Sequence, residues 1–215
     1  MEAAVFRSLF QRTVRRGLRG VWLRGELPPG PLVVAPNHHS WWDAYVLPVW
    51  LWALERPFVG LVEPETLKRF PFARSLGALS SAHPREALRA LRDRVVVVFP
   101  EGRLSPPGTL APLQEGAAWL ASKAGVPLIP LALGLLLRGA ELPEAYLWVG
   151  SPVPPKTEAL REALEGLLTT MREEAKEADP EAPLPGYSLL VAGRKSAHER
   201  MAFWAGLLGR LKGSR

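Results

Sequence analysis

Arg94-Val95-Val96-Val97-Val98-Phe99-Pro100-Glu101-Gly102-Arg103 sets four β-branched residues and an aromatic in a row with no polar residue among them. A strand with one wet face alternates apolar and polar residues. A strand without that alternation is covered on both faces, as in a mostly parallel sheet lying between helices. Working outward, apolar runs near 31–36, 57–62, 126–134 and 145–150 read as further strands. Segments of helical period lie at 41–54, 63–74, 85–93, 112–125 and 157–178. This alternation predicts one α/β domain over 25–178, with a mostly parallel central sheet flanked by helices. Thr157 is placed to cap the last helix, whose stripe of Leu160, Leu164, Leu167, Leu168 and Met171 faces inward. The Pro-rich run 179–186 reads as a connector into a last segment, so the chain divides as 1–24, 25–178 and 179–215.

Composition bounds the function. The 215 residues are 47% apolar and 22% charged, which is ordinary for a globular chain and excludes a disordered tail or a coiled coil. Without cysteine there are no disulfides, thiolate nucleophiles or Cys-ligated zinc. The His and carboxylate residues show no recurring ligand spacing, so no metal is expected. A helical membrane span needs ~20 consecutive apolar residues. The most apolar charge-free stretches, 44–54 and 124–137, hold 11 and 14. Arginines 12, 15, 16 and 19 interrupt any signal-peptide core, so the chain is expected in the cytoplasm.

The formal charge of +6 is unevenly placed. Residues 1–30 carry 6 basic and 2 acidic groups, residues 186–215 carry 6 and 1, and the body between them holds 15 against 18. A slightly acidic body disfavours a nucleic-acid groove. Phe6, Leu9, Phe10, Val14, Leu18 and Val21 recur at helical spacing in the first arm, with arginines mostly opposite. In the last arm Ser196 and Glu199 have capping-box spacing ahead of Met201, Trp204, Leu207, Leu208 and Leu211. Both arms therefore read as basic amphipathic helices. The periodicity fits helices docked on the protein's own core, and it fits helices lying in a membrane interface with arginines at anionic head groups.

The strand-like run Leu32-Val33-Val34-Ala35 leads into Pro36-Asn37-His38-His39-Ser40-Trp41-Trp42-Asp43 and then an apolar helix. Polar residues directly after a buried strand belong at the carboxyl edge of the sheet, where open α/β folds place their sites. A regular helix would put His38 and Asp43 on different faces, whereas a loop turning into a helix brings the carboxylate back towards the imidazole. An Asp on one ring nitrogen leaves the other nitrogen to take a proton from a hydroxyl. Taken alone, the pair is weak. His39 adjoins the pair in sequence and His198 lies in the last arm as a surface residue; neither is the expected base.

The second polar cluster, Glu101-Gly102-Arg103-Leu104-Ser105, also follows a buried strand. Charged residues there are costly unless paired or ligand-bound. Gly102 permits an unusual backbone or a close approach, and Arg103 offers a fork that matches phosphate or carboxylate. A surface turn holding a structural ion pair is the alternative.

Together these segments resemble the glycerolipid acyltransferase family, bacterial 1-acylglycerol-3-phosphate acyltransferases in particular. Its N-H-x-S-x-x-D signature is met by Asn37, His38, Ser40 and Asp43, its F-P-E-G by residues 99–102, and its V-P-x-x-P strand by residues 126–130. Residues 114–121 stand where the family has a G-x-x-x-L-A helix. The match runs over about 25–155. The resemblance implies an O-acyltransferase that moves a fatty acyl group from acyl-CoA or an acyl-carrier-protein thioester to a hydroxyl of a glycerol-based lipid. His38 is then the general base, Asp43 orients it, and no cofactor is needed beyond the donor substrate. Asn37, Ser40, Arg85, Glu101, Gly102, Arg103 and Pro130 are the implied substrate-site residues, with backbone N–H groups near Pro130 or in a site loop as candidate oxyanion donors. Two departures stand out. Where the family's second motif usually has Arg, this chain has His83, with Arg85 two residues on, and the common E-G-T-R-S reads Glu101-Gly102-Arg103-Leu104-Ser105. If neither arginine reaches the site, a non-phosphorylated or glycosylated lipid alcohol becomes the acceptor. A non-catalytic membrane-binding relative is the remaining reading. The amphipathic arms imply peripheral attachment to the inner face of the cell membrane.

Overall fold

A computed structural model describes residues 2–201. In chain order its elements are α1 (Glu2–Gly17), β1 (Gly20–Arg24), β2 (Leu32–Pro36), α2 (Trp41–Ala53), β3 (Phe58–Val62), α3 (Pro64–Arg69), a 3-10 helix (Pro71–Leu76), β4 (Ala78–Ser80), α4 (Pro84–Ala90), β5 (Val95–Val97), α5 (Gly116–Ala124), β6 (Leu128–Leu136), β7 (Glu144–Val149), α6 (Thr157–Glu177) and β8 (Ser188–Ala192). The strands form one sheet in the order β4-β3-β5-β2-β6-β7-β1-β8. From β4 to β6 every pairing is parallel, whereas β6–β7 and β1–β8 are antiparallel. The mostly parallel sheet expected from the unalternating Val95–Val97 run is present, with β5 fully buried between β3 and β2.

Each face carries its own core. Val34, Val97, Ile129 and Leu131 pack with Val14, Leu18, Trp50 and Leu51 under α1 and α2. Val33, Ala35 and Val96 pack with Ala87, Leu120, Leu160 and Leu164 under α4, α5 and α6. Successive residues of one strand thus serve opposite layers, which is why β2 and β5 need no polar alternate. The chain passes from β5 to β6 through α5, crossing β2. The loops that follow β2 and β5 consequently meet at one edge of the sheet.

The terminal segments differ from expectation. The predicted 1–24 helix stops at Gly17, and Val21, expected on its stripe, is fully buried in β1. β1 pairs with β7 on one side and β8 on the other, so the run read as a connector and arm contains an edge strand. A helical turn does begin at Ala197, where the Ser196 N–H donates to Glu199 Oε2 at 2.8 Å. The stripe from Trp204 to Leu211 lies outside the described residues. The arms are pinned by Arg19, which bonds buried Glu144 at 3.0 Å and Glu199 at 3.3 Å. Burial pushes the Tyr146 hydroxyl up to about 12, so it stays protonated and donates to Glu144 Oε2 at 2.9 Å. Smaller shifts have local causes. Pro71 splits the expected 63–74 helix in two, and Lys156 takes the cap position ahead of Thr157, without a side-chain cap bond.

Candidate active site

The site starts where β2 runs out. Pro36 ends the strand, three residues turn, and Ser40 adopts an extended conformation (φ −149°, ψ 149°) as N-cap of α2. Its hydroxyl accepts from Trp42 N at 3.1 Å, and Asp43, at the third helical position, accepts from Ser40 N at 3.0 Å. This reciprocal capping box fixes the Asp43 side chain at the helix start. The same oxygen, Oδ2, also accepts from His39 N at 2.9 Å and from His38 Nδ1 at 2.9 Å. A carboxylate only accepts, so the His38 proton sits on Nδ1 and Nε2 presents its lone pair. Asp43 is fully buried, its Oδ1 has no hydrogen-bond partner among the described residues, and all three donors converge on Oδ2. Burial leaves little water to compete for the imidazole contact. The His38 ring lies flat on Phe99, centroids 3.9 Å apart, at the end of β5.

Glu101, also buried, spans two loops. Its Oε1 accepts from His38 N at 2.7 Å and its Oε2 from Ala111 N at 2.9 Å. Paired backbone donors resolve the burial cost that made this residue conspicuous in the sequence. Gly102 has φ +66°, a left-handed conformation that favours glycine, and a Cβ there would lie 2.3 Å from the Gln114 side-chain amide, which would have to move aside. Asn37 faces β6: its Oδ1 accepts from Leu133 N at 2.7 Å, and its Nδ2 donates to Leu133 O at 3.0 Å and to His39 Nδ1 at 2.8 Å.

Two cavities flank this loop. On the β5–β3 side one of about 600 Å³ is walled by Asp43, Phe99, Trp41, Phe58, Gly60 and Phe72, with Arg69 as its one cationic residue among the described residues. On the β6 side one of about 300 Å³ is bounded by Asn37, His39, Glu101, Leu135, Leu168 and Arg172. Trp42, by contrast, packs beneath α1, where a Cβ on Gly17 would meet its ring at 2.3 Å.

The implied site residues thus divide. Asn37, His38, Ser40, Asp43 and Glu101, joined through His39, form one hydrogen-bonded unit. Gly102 adjoins it in the turn, its N–H donating to Phe99 O at 3.1 Å. Arg85 and Arg103 are exposed, and neither they nor His83 line either cavity. Pro130 stands in the sheet opposite Ala35, its carbonyl accepting from Gly150 N at 2.9 Å, and proline has no N–H to donate. The N–H groups of residues 38, 39 and 40 are taken by Glu101 and Asp43. Arg69 escaped the sequence reading because no motif marks it; only its place beside Phe70 and Phe72 at the cavity wall does. The capping-box role of Ser40 and Asp43 carries a sequence signal of its own, the S-x-x-D spacing ahead of an apolar run.

A family model described as Acyltransferase matches residues 21–134. The 1-acyl-sn-glycerol-3-phosphate acyltransferase of Pseudomonas aeruginosa is 28% identical over 140 residues, covering 55% of this chain and 49% of that protein. The chain therefore spans about half the length of the curated relative it matches. Among solved structures, the 1-acyl-sn-glycerophosphate (LPA) acyltransferase PlsC from Thermotoga maritima has the same fold, with a TM-score of 0.59 at 23% identity over 82% of this chain and 81% of that one. The matched residues include β2, the His38–Asp43 loop, β5 and the Glu101 turn, and with a model that covers more than half of its length this chain belongs to the Acyltransferase family.

Proposed function

We propose that the protein transfers a fatty acyl group from a coenzyme A or acyl-carrier-protein thioester to a hydroxyl of a glycerol-phosphate lipid such as lysophosphatidic acid. The observation that carries this reading is the 2.9 Å His38 Nδ1–Asp43 Oδ2 bond beside an apolar cavity large enough for an acyl chain. His38 Nε2 takes the proton of the acceptor hydroxyl as its oxygen attacks the thioester carbonyl. Asp43 stabilises the resulting imidazolium. Collapse of the tetrahedral adduct breaks the carbon–sulfur bond, and the thiolate leaves with the proton from His38. No acyl-enzyme is required, because the acceptor is itself the nucleophile.

Membrane attachment belongs to the same reading. On α1, Phe6 and Phe10 turn inward, Phe6 stacking on Phe72 at 4.4 Å and Phe10 meeting Tyr45 at 4.7 Å, while Val5 and Leu9 are 52% and 45% exposed. Arg12, Arg15 and Arg16 are exposed beside them. Trp41, at the larger cavity, is 53% exposed. Apolar side chains ringed by arginine favour the anionic inner face of the cell membrane, each basic residue adding about 1 kcal/mol near the surface. Among the described residues no helix is long and apolar enough to cross a membrane. Full-length protein should float with anionic vesicles, and a Val5→Asp, Leu9→Asp variant should not; unchanged flotation assigns binding to another surface.

One observation favours a second reading, transfer to a non-phosphorylated or glycosylated lipid alcohol: Arg85 and Arg103 stand away from both cavities. Purified protein, an acyl thioester and lysophosphatidic acid test the first reading by thiol release, which His38→Ala should abolish. Activity within a few-fold of wild type in that variant sinks the mechanism. Equal rates with a neutral monoacylglycerol favour the second reading.

A further inference from the structure

The smaller cavity has a wall that the acyltransfer chemistry above does not use. Backbone groups of the β6 segment alternate between its two neighbours: Pro127 O accepts from Val33 N on the β2 side, and Pro130 O accepts from Gly150 N on the β7 side. Odd-numbered residues here therefore face β2. β2 ends at Pro36, opposite Leu131. One step further, the Asn37 side-chain amide bonds both the N–H and the C=O of Leu133, imitating one more strand residue. Leu135 follows in the same orientation with no strand of the described residues opposite it on that side, and it lines the smaller cavity. The second Nδ2 hydrogen of Asn37 goes to His39 Nδ1, so neutral His39 carries its proton on Nε2, within the same lining. Leu168 and Met171 supply an apolar side. Arg172 holds the outer wall, its guanidinium donating to Gly108 O at 2.8 Å, to Leu168 O at 3.1 Å and to Thr169 Oγ1 at 3.0 Å.

A strand edge with one N–H and one C=O, an added imidazole N–H and an apolar flank suit an extended chain that carries secondary amides. Both thioester donors named above end in such a chain, the pantetheine arm, whose two amides lie between the thioester and the phosphate. We propose that the smaller cavity receives the pantetheine arm of the donor, its amide pairing with the Leu135 edge as an added strand residue would. This rests on the acyltransferase reading. The arm then reaches His38 from the β6 side while the acyl chain extends into the larger cavity on the β5 side.

Filling the cavity separates this assignment from the others. Leu168→Trp, at a half-buried position on α6, should raise KM about tenfold or more for acyl-CoA, acyl-carrier protein and acyl-pantetheine alike, since the three share the arm. It should leave KM for lysophosphatidic acid, and turnover of an S-ethyl thioester of the same acid, within about twofold, because that donor has no amide. Thr109→Trp, on the exposed loop across the cavity, repeats the test should Leu168→Trp lower the melting temperature. A raised KM for the acceptor, an equal loss with the ethyl thioester, or unchanged KM for the arm-bearing donors in a folded variant each overturn the proposal. Failure of the acyltransferase reading itself looks different: wild-type protein would then release no thiol from any donor.

Discussion

The two cavities on either side of the His38 loop are built from different materials. The larger, of about 600 Å³, is walled by aromatic rings and the open side of β3, and beyond Asp43 and Arg69 it offers few polar groups. The smaller, of about 300 Å³, opens where β2 ends before β6 does, and its wall is a strand edge. The difference follows from topology. On the β5 side α2, α3 and the 3-10 helix leave a gap lined by side chains, while on the β6 side the unequal strand lengths leave backbone uncovered. Side-chain walls sort ligands by shape and hydrophobicity, and backbone walls sort them by hydrogen-bonding pattern. The His38–Asp43 pair stands on the partition between the two.

The partition can be broken most severely at its centre. His38→Ala or Asp43→Asn should lower the rate of thiol release about 10²–10⁴-fold, the usual contribution of a positioned base. Both variants should keep wild-type vesicle binding, which separates chemistry from recruitment. Glu101→Gln is expected to come next, in stability. Two backbone N–H groups converge on its carboxylate, and an amide leaves one of them facing an NH₂ group, a loss of about 1–3 kcal/mol by denaturant titration. An unchanged midpoint would mean that the strut is not what holds His38.

A gentler change sharpens the contrast between the cavities. Gly60 lies in β3 on the larger cavity, and a Cβ built there meets nothing within 4 Å. Gly60→Val should keep or raise stability, by about 0.5–1 kcal/mol, since glycine is unfavourable in a strand. It should also shift the acyl composition of the product towards shorter chains, as read by mass spectrometry. An unchanged composition moves the acyl chain out of this cavity.

The smallest effect expected is at the sheet edge remote from both cavities. Glu141 accepts from Ala197 N at 3.1 Å and His198 N at 3.3 Å. The nearby Ser196 hydroxyl and these backbone donors lower its pKa to about 2. A lowered folded-state value makes this anchor present above the ordinary carboxylate range and lost as pH falls towards 2. Amide-exchange protection at Ala197 and His198, corrected for the intrinsic pH dependence of exchange, should fall over that acidic interval while the protection of β5 amides does not follow it. Parallel changes at both places would show global unfolding instead.

Legibility followed the range of the interactions. Strands β2, β3, β5, β6 and β7 were readable because each is an apolar run long enough to stand out. β4 has three residues, β8 exposes Ser188 and Leu189 at a sheet edge, and β1 was absorbed into a helical pattern, since Val21 fits that stripe and a buried strand equally well. Arm periodicity allowed a docked or a free helix; α1 does some of each, with Phe10 packed and Leu9 exposed. In the site, the His38–Asp43 contact was expected because five residues of loop and first helical turn suffice to close it. The roles of Asn37 and Glu101 were not, because their partners lie 96 and 63 residues away.

By itself the sequence determined what local hydrogen bonding and side-chain periodicity can encode: a two-layered parallel core, a capped helix after β2, and an imidazole held by a carboxylate within one turn. Tertiary structure alone decided that Glu101 braces His38, that Asn37 prolongs the β2–β6 ladder, that Arg69 rather than Arg85 or Arg103 reaches a cavity wall, and that the two arms meet at one sheet edge. Those outcomes depend on which strands are neighbours and in what register. No short window of sequence carries that information, because register is set by packing summed over the whole sheet.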